Sequence, residues 1–181
     1  TTGATAACLF DGCTDPVATN YDVTANNDDG SCEFNCAYYG WENELTVTMT
    51  PDWNSSDVSW DILDAFTGDT VLSSVAYANG GAIDIQTLCA NDGCYNVNGY
   101  DAFGNGWANG SLVISDAAGN AISTLEVAAS SNSSSFTLGT VNCALGCMDS
   151  LAINFDANAA IDDGSCTDTI IGCTDVNAYN Y

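Results

Sequence analysis

Among 181 residues there is no lysine, no arginine and no histidine. Against that absence stand 24 aspartates and glutamates, a formal net charge of −24. A balance so far from ordinary usage leaves nothing to neutralise a phosphate backbone or an anionic membrane surface, so both are excluded as electrostatic partners. It also removes most catalytic chemistry. The chain holds no imidazole base, no lysine nucleophile, no phosphate-binding lysine, no arginine clamp and no histidine-type metal site. Trypsin-like proteases find no bond to cut. Long apolar runs are missing as well: nothing approaches the roughly 18 residues of a membrane-spanning helix, so no membrane insertion is expected. No secretory leader is visible, as in a secreted protein whose leader has been removed. Helical periodicity is absent beyond a turn or two.

What is present is globular in character, with 46% hydrophobic residues, unlike a disordered acidic tail. Ten cysteines point to an oxidising compartment. The C-x3-C spacings Cys32–Cys36 and Cys143–Cys147 raise a zinc cluster as an alternative, although zinc sites favour tighter pairs or histidine.

The densest signal is an internal repeat. Gly12 to Cys32 reads GCTDPVATNYDVTANNDDGSC and Gly146 to Cys166 reads GCMDSLAINFDANAAIDDGSC. Without a gap, 12 of 21 positions are identical. A third copy opens at Gly172 as GCTDVNAYNY. Such self-similarity marks a repeat architecture. Each complete copy has a cysteine at its head and tail and little apolar material, so it needs a staple or a metal. Cys13–Cys32 and Cys147–Cys166 bridges would each contribute about 3 kcal/mol in the loop-entropy model. The acids and amides between them, Asp15, Asn20, Asp22, Asp28 and Asp29, then Asp149, Asn154, Asp156, Asp162 and Asp163, are oxygen donors that suit calcium. The competing reading is that Asp, Asn and Gly here make turns and keep the surface solvated. EF-hand ligand offsets and the closing Glu are not matched.

GCTDP…NY…DDGSC resembles short repeats of secreted and surface proteins of marine bacteria, especially the Bacteroidota, and more loosely the acidic calcium-binding repeats of the thrombospondin type 3 kind. The resemblance covers about a third of the chain and implies an extracellular, multi-module, cell-surface protein. It implies no activity.

Between Cys36 and Cys143 the texture becomes period-two alternation. Leu45, Val47 and Met49 alternate with threonines; Val58, Trp60 and Ile62 follow. Segments 71–77, 82–88, 94–100, 111–116, 122–127 and 136–141 continue the pattern. Turn signals at Thr67-Gly68-Asp69, Asn79-Gly80-Gly81, Asn91-Asp92-Gly93 and Ala118-Gly119-Asn120 separate them. The expectation is all-β: an antiparallel β-sandwich of about eight strands flanked by small, disulfide-stapled, acidic, loop-rich repeats. The layout is 1–11, the tail of a preceding repeat; 12–35, repeat one; 36–143, the sandwich; 144–171, repeat two; and 172–181, the head of a third. Trp41, Trp53, Trp60 and Trp107 are candidates to fill the core. Nesting suggests a Cys36–Cys143 bridge and proximity a Cys89–Cys94 bridge across a hairpin. Cys8 and Cys173 read as halves of a bridge between neighbouring units or chains, or else as one intrachain bridge.

The sandwich carries a second resemblance. Trp60-Asp61-Ile62-Leu63-Asp64, Asp92-Gly93-Cys94-Tyr95 and Asp101-Ala102-Phe103-Gly104-Asn105-Gly106-Trp107 are similar to a CUB-like module of secreted bacterial proteins, roughly W-x-I-x-D…DGCY…D-x-x-GDGW. Asn105 stands where that family has Asp. The resemblance implies either a calcium loop including Asp101 and Asn105 or a glycine-rich loop capped by a buried Trp107. Asn54, Asn109 and Asn132 fit the N-glycan sequon. Thr70, Ser150 and Thr169 sit in Asp-Ser/Thr-aliphatic triplets that resemble the O-glycosylation motif of Bacteroidota.

These features point to a non-enzymatic structural subunit or repeat unit of an extracellular filament, stalk or adhesin, stabilised by calcium and joined end to end with copies of itself or related modules. A carbohydrate- or surface-binding module of a secreted enzyme, with glycans as partners, is the alternative. A hydrolase using paired carboxylates is the weakest of the three, because the acids sit in repeats and turns.

Overall fold

The computed structural model describes residues 8–168. Thr169, Cys173 and the partial third repeat lie outside them. Two miniature strands, β1 (Asp11–Gly12) and β2 (Asn27–Asp28), belong to the first repeat. The sandwich follows with β3 (Asn43–Thr50), β4 (Val58–Asp64), β5 (Thr70–Ser73), β6 (Asp84–Ala90), β7 (Gly93–Asp101), β8 (Ser111–Ser115), β9 (Ala121–Leu125) and β10 (Ser131–Leu138). β11 (Leu145–Gly146) and β12 (Ile161–Asp162) belong to the second repeat. One four-stranded sheet runs β10-β7-β4-β5, the other β6-β3-β8-β9. All pairings within both are antiparallel, while β1–β2 and β11–β12 pair in parallel. The chain is therefore an all-β sandwich with a small disulfide-bonded unit on either side in sequence.

The alternation in the sequence sets the inner faces. On β3, Leu45, Val47 and Met49 are buried while Glu44 and Thr46 are exposed. On β4, Val58, Trp60 and Ile62 point inward and pack with Leu112 and Ile114 of β8, Val97 of β7 and Phe136 of β10. Burying each such side chain is worth about 1.5–3 kcal/mol. Trp60 also satisfies its indole N–H, which donates to the Tyr77 hydroxyl at 2.8 Å, and that hydroxyl donates to Asp84 at 3.0 Å. Burial is the main cause that pushes the Tyr77 phenol up to about 12.

Three expectations are corrected. Trp60 and Trp107 fill the core, but Trp41 is 42% and Trp53 81% exposed. Both lie outside the strands, where no alternation directs a side chain inward. The strand expected over 71–77 stops at Ser73, and the one expected over 136–141 is β10, which begins five residues earlier. Last, Cys36 is bonded to Cys89 and Cys94 to Cys143, in place of Cys36–Cys143 and Cys89–Cys94. The reason is topological. Cys89 lies on β6 and Cys94 on β7, and these strands belong to opposite sheets. The Asn91-Asp92 turn crosses between layers and does not close a hairpin. Each of these disulfides staples an approach segment to its own sheet: the turn before β3 to β6, and the strand β7 to the exit from β10.

Candidate functional site

The two complete repeats fold alike and share most of their hydrogen bonds. Cys13–Cys32 and Cys147–Cys166 are both bonded, each with a sequence separation of 19. Asn20 Nδ2 donates to the Ser31 carbonyl at 2.6 Å and its Oδ1 accepts the Glu33 N–H at 2.8 Å. Asn154 does the same with Ser165 at 2.7 Å and Thr167 at 2.8 Å. These amides clamp the tail of each repeat to its middle. The Asp22 and Asp156 N–H groups donate to the carbonyls of Cys13 and Cys147, both at 2.9 Å.

Every acid expected to bind calcium in the repeats is the acceptor of a local turn. Asp15 Oδ1 takes the Val17 N–H at 2.9 Å, Asp22 the Thr24 N–H at 2.8 Å, Asp28 the Gly30 N–H at 3.1 Å and Asp29 the Ser31 N–H at 2.9 Å. Asp149, Asp156, Asp162 and Asp163 repeat the pattern on Leu151, Asn158, Gly164 and Ser165. Thr24 beside Asp22, Ser31 beside Asp29 and Ser165 beside Asp163 hold those three carboxyls below the usual range. The other identities have local reasons too. A Cβ on Gly12 would stand 3.2 Å from Ala25 Cβ, and one on Gly146 3.1 Å from Ala159 Cβ. Ala18 and Ala152 are buried. Gly30 and Gly164 have φ of 76° and 71°, where glycine is favoured. All 12 shared positions are thus accounted for by the fold of the repeat, and their identity does not by itself argue for a metal. Each turn uses Oδ1 only, so the second carboxylate oxygens stay available to solvent or a cation. Among the described residues no three Cys, Asp or Glu side chains converge on one point. An ion in a repeat would draw on backbone carbonyls and water.

The motifs of the sandwich come together on one sheet. Trp60 to Asp64 form most of β4, Gly93 to Tyr95 start β7, and Asp101 ends it, beside β4. The following loop folds over Asp101, whose Oδ1 accepts the N–H groups of Gly104 and, at 3.2 Å, Asn105. Gly104 and Gly106 have φ of 78° and 82°. Trp107 closes the loop, fully buried, its indole N–H donating to the Tyr100 carbonyl at 2.9 Å. The Asn105 side chain belongs to an exposed residue.

One side chain that the sequence did not single out lies at the same end of this sheet. Asp57 ends a 3-10 turn just before β4 and is 8% exposed, yet neither of its carboxylate oxygens has a hydrogen-bond partner. Asp101 is 4% exposed and its Oδ2 is likewise without one. Val58 pairs with Asp101, and the Ala102 N–H donates to the Asp57 carbonyl at 3.0 Å, so the two acids stand one rung apart. Asp57 escaped the sequence because an acid ahead of a strand reads as a solvated start.

Of the modification candidates, Thr70, Ser150, Asn54, Asn109 and Asn132 are exposed. The Asn132 amide is engaged, its Nδ2 donating to the Glu126 carbonyl at 2.7 Å. Cys8 is exposed and has no partner among the described residues. The described residues contain no helix long and apolar enough to cross a membrane. Aromatics gather in the segment between the first repeat and the sandwich: the half-buried Phe34 stacks on the exposed Tyr38 at 4.0 Å, the exposed Tyr39 stands edge-on to both, and the exposed Trp41 follows in sequence.

No family model, curated protein or solved structure matches this chain.

Proposed function

We propose that this protein is a non-enzymatic structural subunit or repeat unit of an extracellular bacterial surface filament, stalk or adhesin, disulfide-bonded and stabilised by calcium, that assembles end to end with copies of itself or related modules. The observation that carries the reading is the pair of identically folded, disulfide-closed repeats on either side of a sandwich with its own core. A module repeated in this way joins neighbours through equivalent surfaces, and a head-to-tail contact that does not close on itself extends into a filament. Four disulfides suit an oxidising compartment. The absence of basic side chains leaves few catalytic options. The free second oxygens of the repeat carboxylates supply the hard donors that calcium prefers.

The assembly reading is tested by electron microscopy of purified protein and of the source cell surface, with calcium and after chelation. Polymers that shorten on chelation or reduction are the expected result. A monodisperse 19-kDa monomer under every condition, with Cys8 bonded to Cys173 of its own chain, refutes it.

The exposed Tyr38 and Tyr39, packed with Phe34, favour a second reading, a glycan- or surface-binding module, because exposed rings at one place can stack on sugar faces. Binding to a glycan panel that is lost in Tyr39→Ala would support it over the first.

A further inference from the structure

An asparagine followed by glycine carries its own reagent. The glycine nitrogen, with no side chain beside it to crowd the approach, can attack the carbonyl carbon of the asparagine side chain. In a folded chain the reaction is restrained where hydrogen bonds hold the amide and the nucleophile in other directions. This chain has four such pairs: Asn79-Gly80, Asn98-Gly99, Asn105-Gly106 and Asn109-Gly110. Three are held. Asn79 Oδ1 accepts the Ser56 N–H at 3.1 Å, and the Gly80 N–H donates to the Trp53 carbonyl at 2.9 Å. Asn98 Nδ2 donates to Asp61 Oδ1 at 2.8 Å, and Gly99 lies between Trp60 of β4 and Asn132 of β10 in the sheet. The Gly110 N–H donates to the Trp107 carbonyl at 2.5 Å. Asn105-Gly106 differs from all of them. The Asn105 side chain is exposed and makes no hydrogen bond among the described residues. The Gly106 N–H has no acceptor among them either, although Gly104, Asn105 and Trp107 around it all donate their own.

We propose that Asn105 is a self-modification site, converted to aspartate or isoaspartate through a cyclic imide with Gly106. The Gly106 nitrogen forms a bond to Asn105 Cγ and gives up its proton. The bond from Cγ to Nδ2 breaks, and ammonia leaves. Water then opens the imide. Attack at Cγ yields aspartate, and attack at the main-chain carbonyl carbon yields isoaspartate, whose chain runs through Cβ and Cγ. One water enters, one ammonia leaves, and nothing is oxidised or reduced. The two products differ in what they do to the fold. Aspartate adds a charge at an exposed position, where water hydrates it. Isoaspartate lengthens the main chain by one methylene just before Gly106, and there is no slack there: a Cβ on Gly106 would stand 2.5 Å from the Val127 carbonyl oxygen. The next residue is the fully buried Trp107, held by its N–H on the same carbonyl at 2.7 Å. Isoaspartate therefore loosens the Trp107 plug, while aspartate leaves it seated. The conversion depends on neither assembly nor metal binding.

The test incubates the full oxidised chain at neutral and at mildly alkaline pH. A chymotrypsin-like protease then cuts after Trp107 and so separates Asn105 from Asn109. Mass spectrometry reads the exchange of amide for acid at each of the four positions, and enzymatic methylation reads isoaspartate. In the native chain Asn105 should convert at least about tenfold faster than the other three, because each of those must first give up one or more hydrogen bonds. The rate should rise with pH, since the attacking nitrogen must lose its proton. In the reduced, denatured chain all four should convert at similar rates, which places the selection in the fold. Asn105→Gln, whose longer side chain closes the ring less readily, should abolish conversion at this position and leave the other three rates unchanged. The isoaspartate fraction should unfold at a lower temperature than the aspartate fraction. Native Asn105 converting no faster than Asn79, Asn98 and Asn109, or staying intact through an incubation that converts it in the denatured chain, overturns the proposal. Equal stability of the two fractions overturns the loosening of the plug.

Discussion

Gly99 is a tight point in the sandwich core, and replacing it tests the packing around Trp107 directly. Gly99 lies in the middle of β7, opposite Trp60 on β4 and Asn132 on β10. A Cβ there would stand 2.7 Å from two atoms of the Trp107 ring and 2.7 Å from Val127 Cγ2. The ring cannot retreat easily. Its N–H is bonded to the Tyr100 carbonyl and its backbone N–H donates to Val127 at 2.7 Å. Overpacking of this kind costs about 1–3 kcal/mol. Gly99 has no positive φ, so alanine also gains about 0.4–1 kcal/mol by restricting the unfolded chain. The net expectation for Gly99→Ala is a loss of about 1–2 kcal/mol. For a domain near 100 residues that lowers the unfolding temperature by roughly 4–15 °C. The assay is thermal and denaturant unfolding of oxidised protein, read by near-ultraviolet circular dichroism. A double-mutant cycle adds the mechanism. Trp107→Phe removes the two ring atoms that would clash, so Gly99→Ala/Trp107→Phe should lose less than the sum of the single variants. Additivity within about 0.5 kcal/mol, or a Gly99→Ala protein as stable as the wild type, would refute the argument.

Non-reducing maps with an acid-specific protease should show Cys36 linked to Cys89 and Cys94 to Cys143; removing either bridge by paired Cys→Ser changes should cost about 4 kcal/mol in the loop-entropy model, for closed segments of 53 and 49 residues. Recovery of a Cys36–Cys143 peptide would contradict the crossing of the Asn91-Asp92 turn between sheets. The turns at Asp22, Asp29 and Asp163 should open on acidification: their carboxyl pKa values are depressed in the fold, so their contribution is fully present above the ordinary value of 3.8 and is lost as pH falls through the lower folded values. Amide shifts of Thr24, Ser31 and Ser165 report this by NMR, and midpoints at or above 3.8 would contradict it.

The sandwich was readable wherever one face is buried and the other wet, because alternation at period two is the direct imprint of that environment. β3 and β4 follow it residue by residue. β10 was half hidden for the same physical reason. Ser131 to Ser135 is polar throughout, since β10 is an edge strand and its first half pairs with β7 without covering core. Only Phe136 and Leu138 reach inward and carry a signal. The two central cysteines, which bond elsewhere and not to each other, show a different limit. Cys89 and Cys94 are neighbours in sequence, and proximity is a fair guide inside one sheet but not where the chain changes layers. The repeats were legible as units, because two copies in one chain reveal which positions matter. What the copies could not reveal is why they matter. Turn formation and metal ligation select the same residues, Asp, Asn and Gly, and only the hydrogen-bond pattern separates the two. Asp57 left no trace in the sequence at all. It belongs to no repeat and no motif, and its distinction is the lack of a donor, which only coordinates display.

That lack has meaning because of how the rest of the acids are treated. A chain of net charge −24 with no basic side chain must hold its carboxylates without ion pairs. It does so with backbone N–H groups presented by turns. Asp52 accepts from Asn54, Asp64 from Phe66 and Thr67, and Asp116 from Ala118 and Asn120, just as the repeat acids do. A hydrogen bond to a charged group contributes about 1.5–3 kcal/mol, so a turn built on a carboxylate is a stable solution as long as the remaining charge faces water. The solution fails for a carboxylate that is buried, where one N–H cannot offset the loss of hydration. Asp101 has two such N–H groups on one oxygen and none on the other, and Asp57 has none. Long-range repulsion among exposed acids is screened by any salt within about 10 Å at 0.1 M, so monovalent ions relieve the surface charge but do not reach these two groups. The burial of Asp57 and of one Asp101 oxygen is therefore the one feature of this acidic surface that neither its turns nor screening by salt offsets.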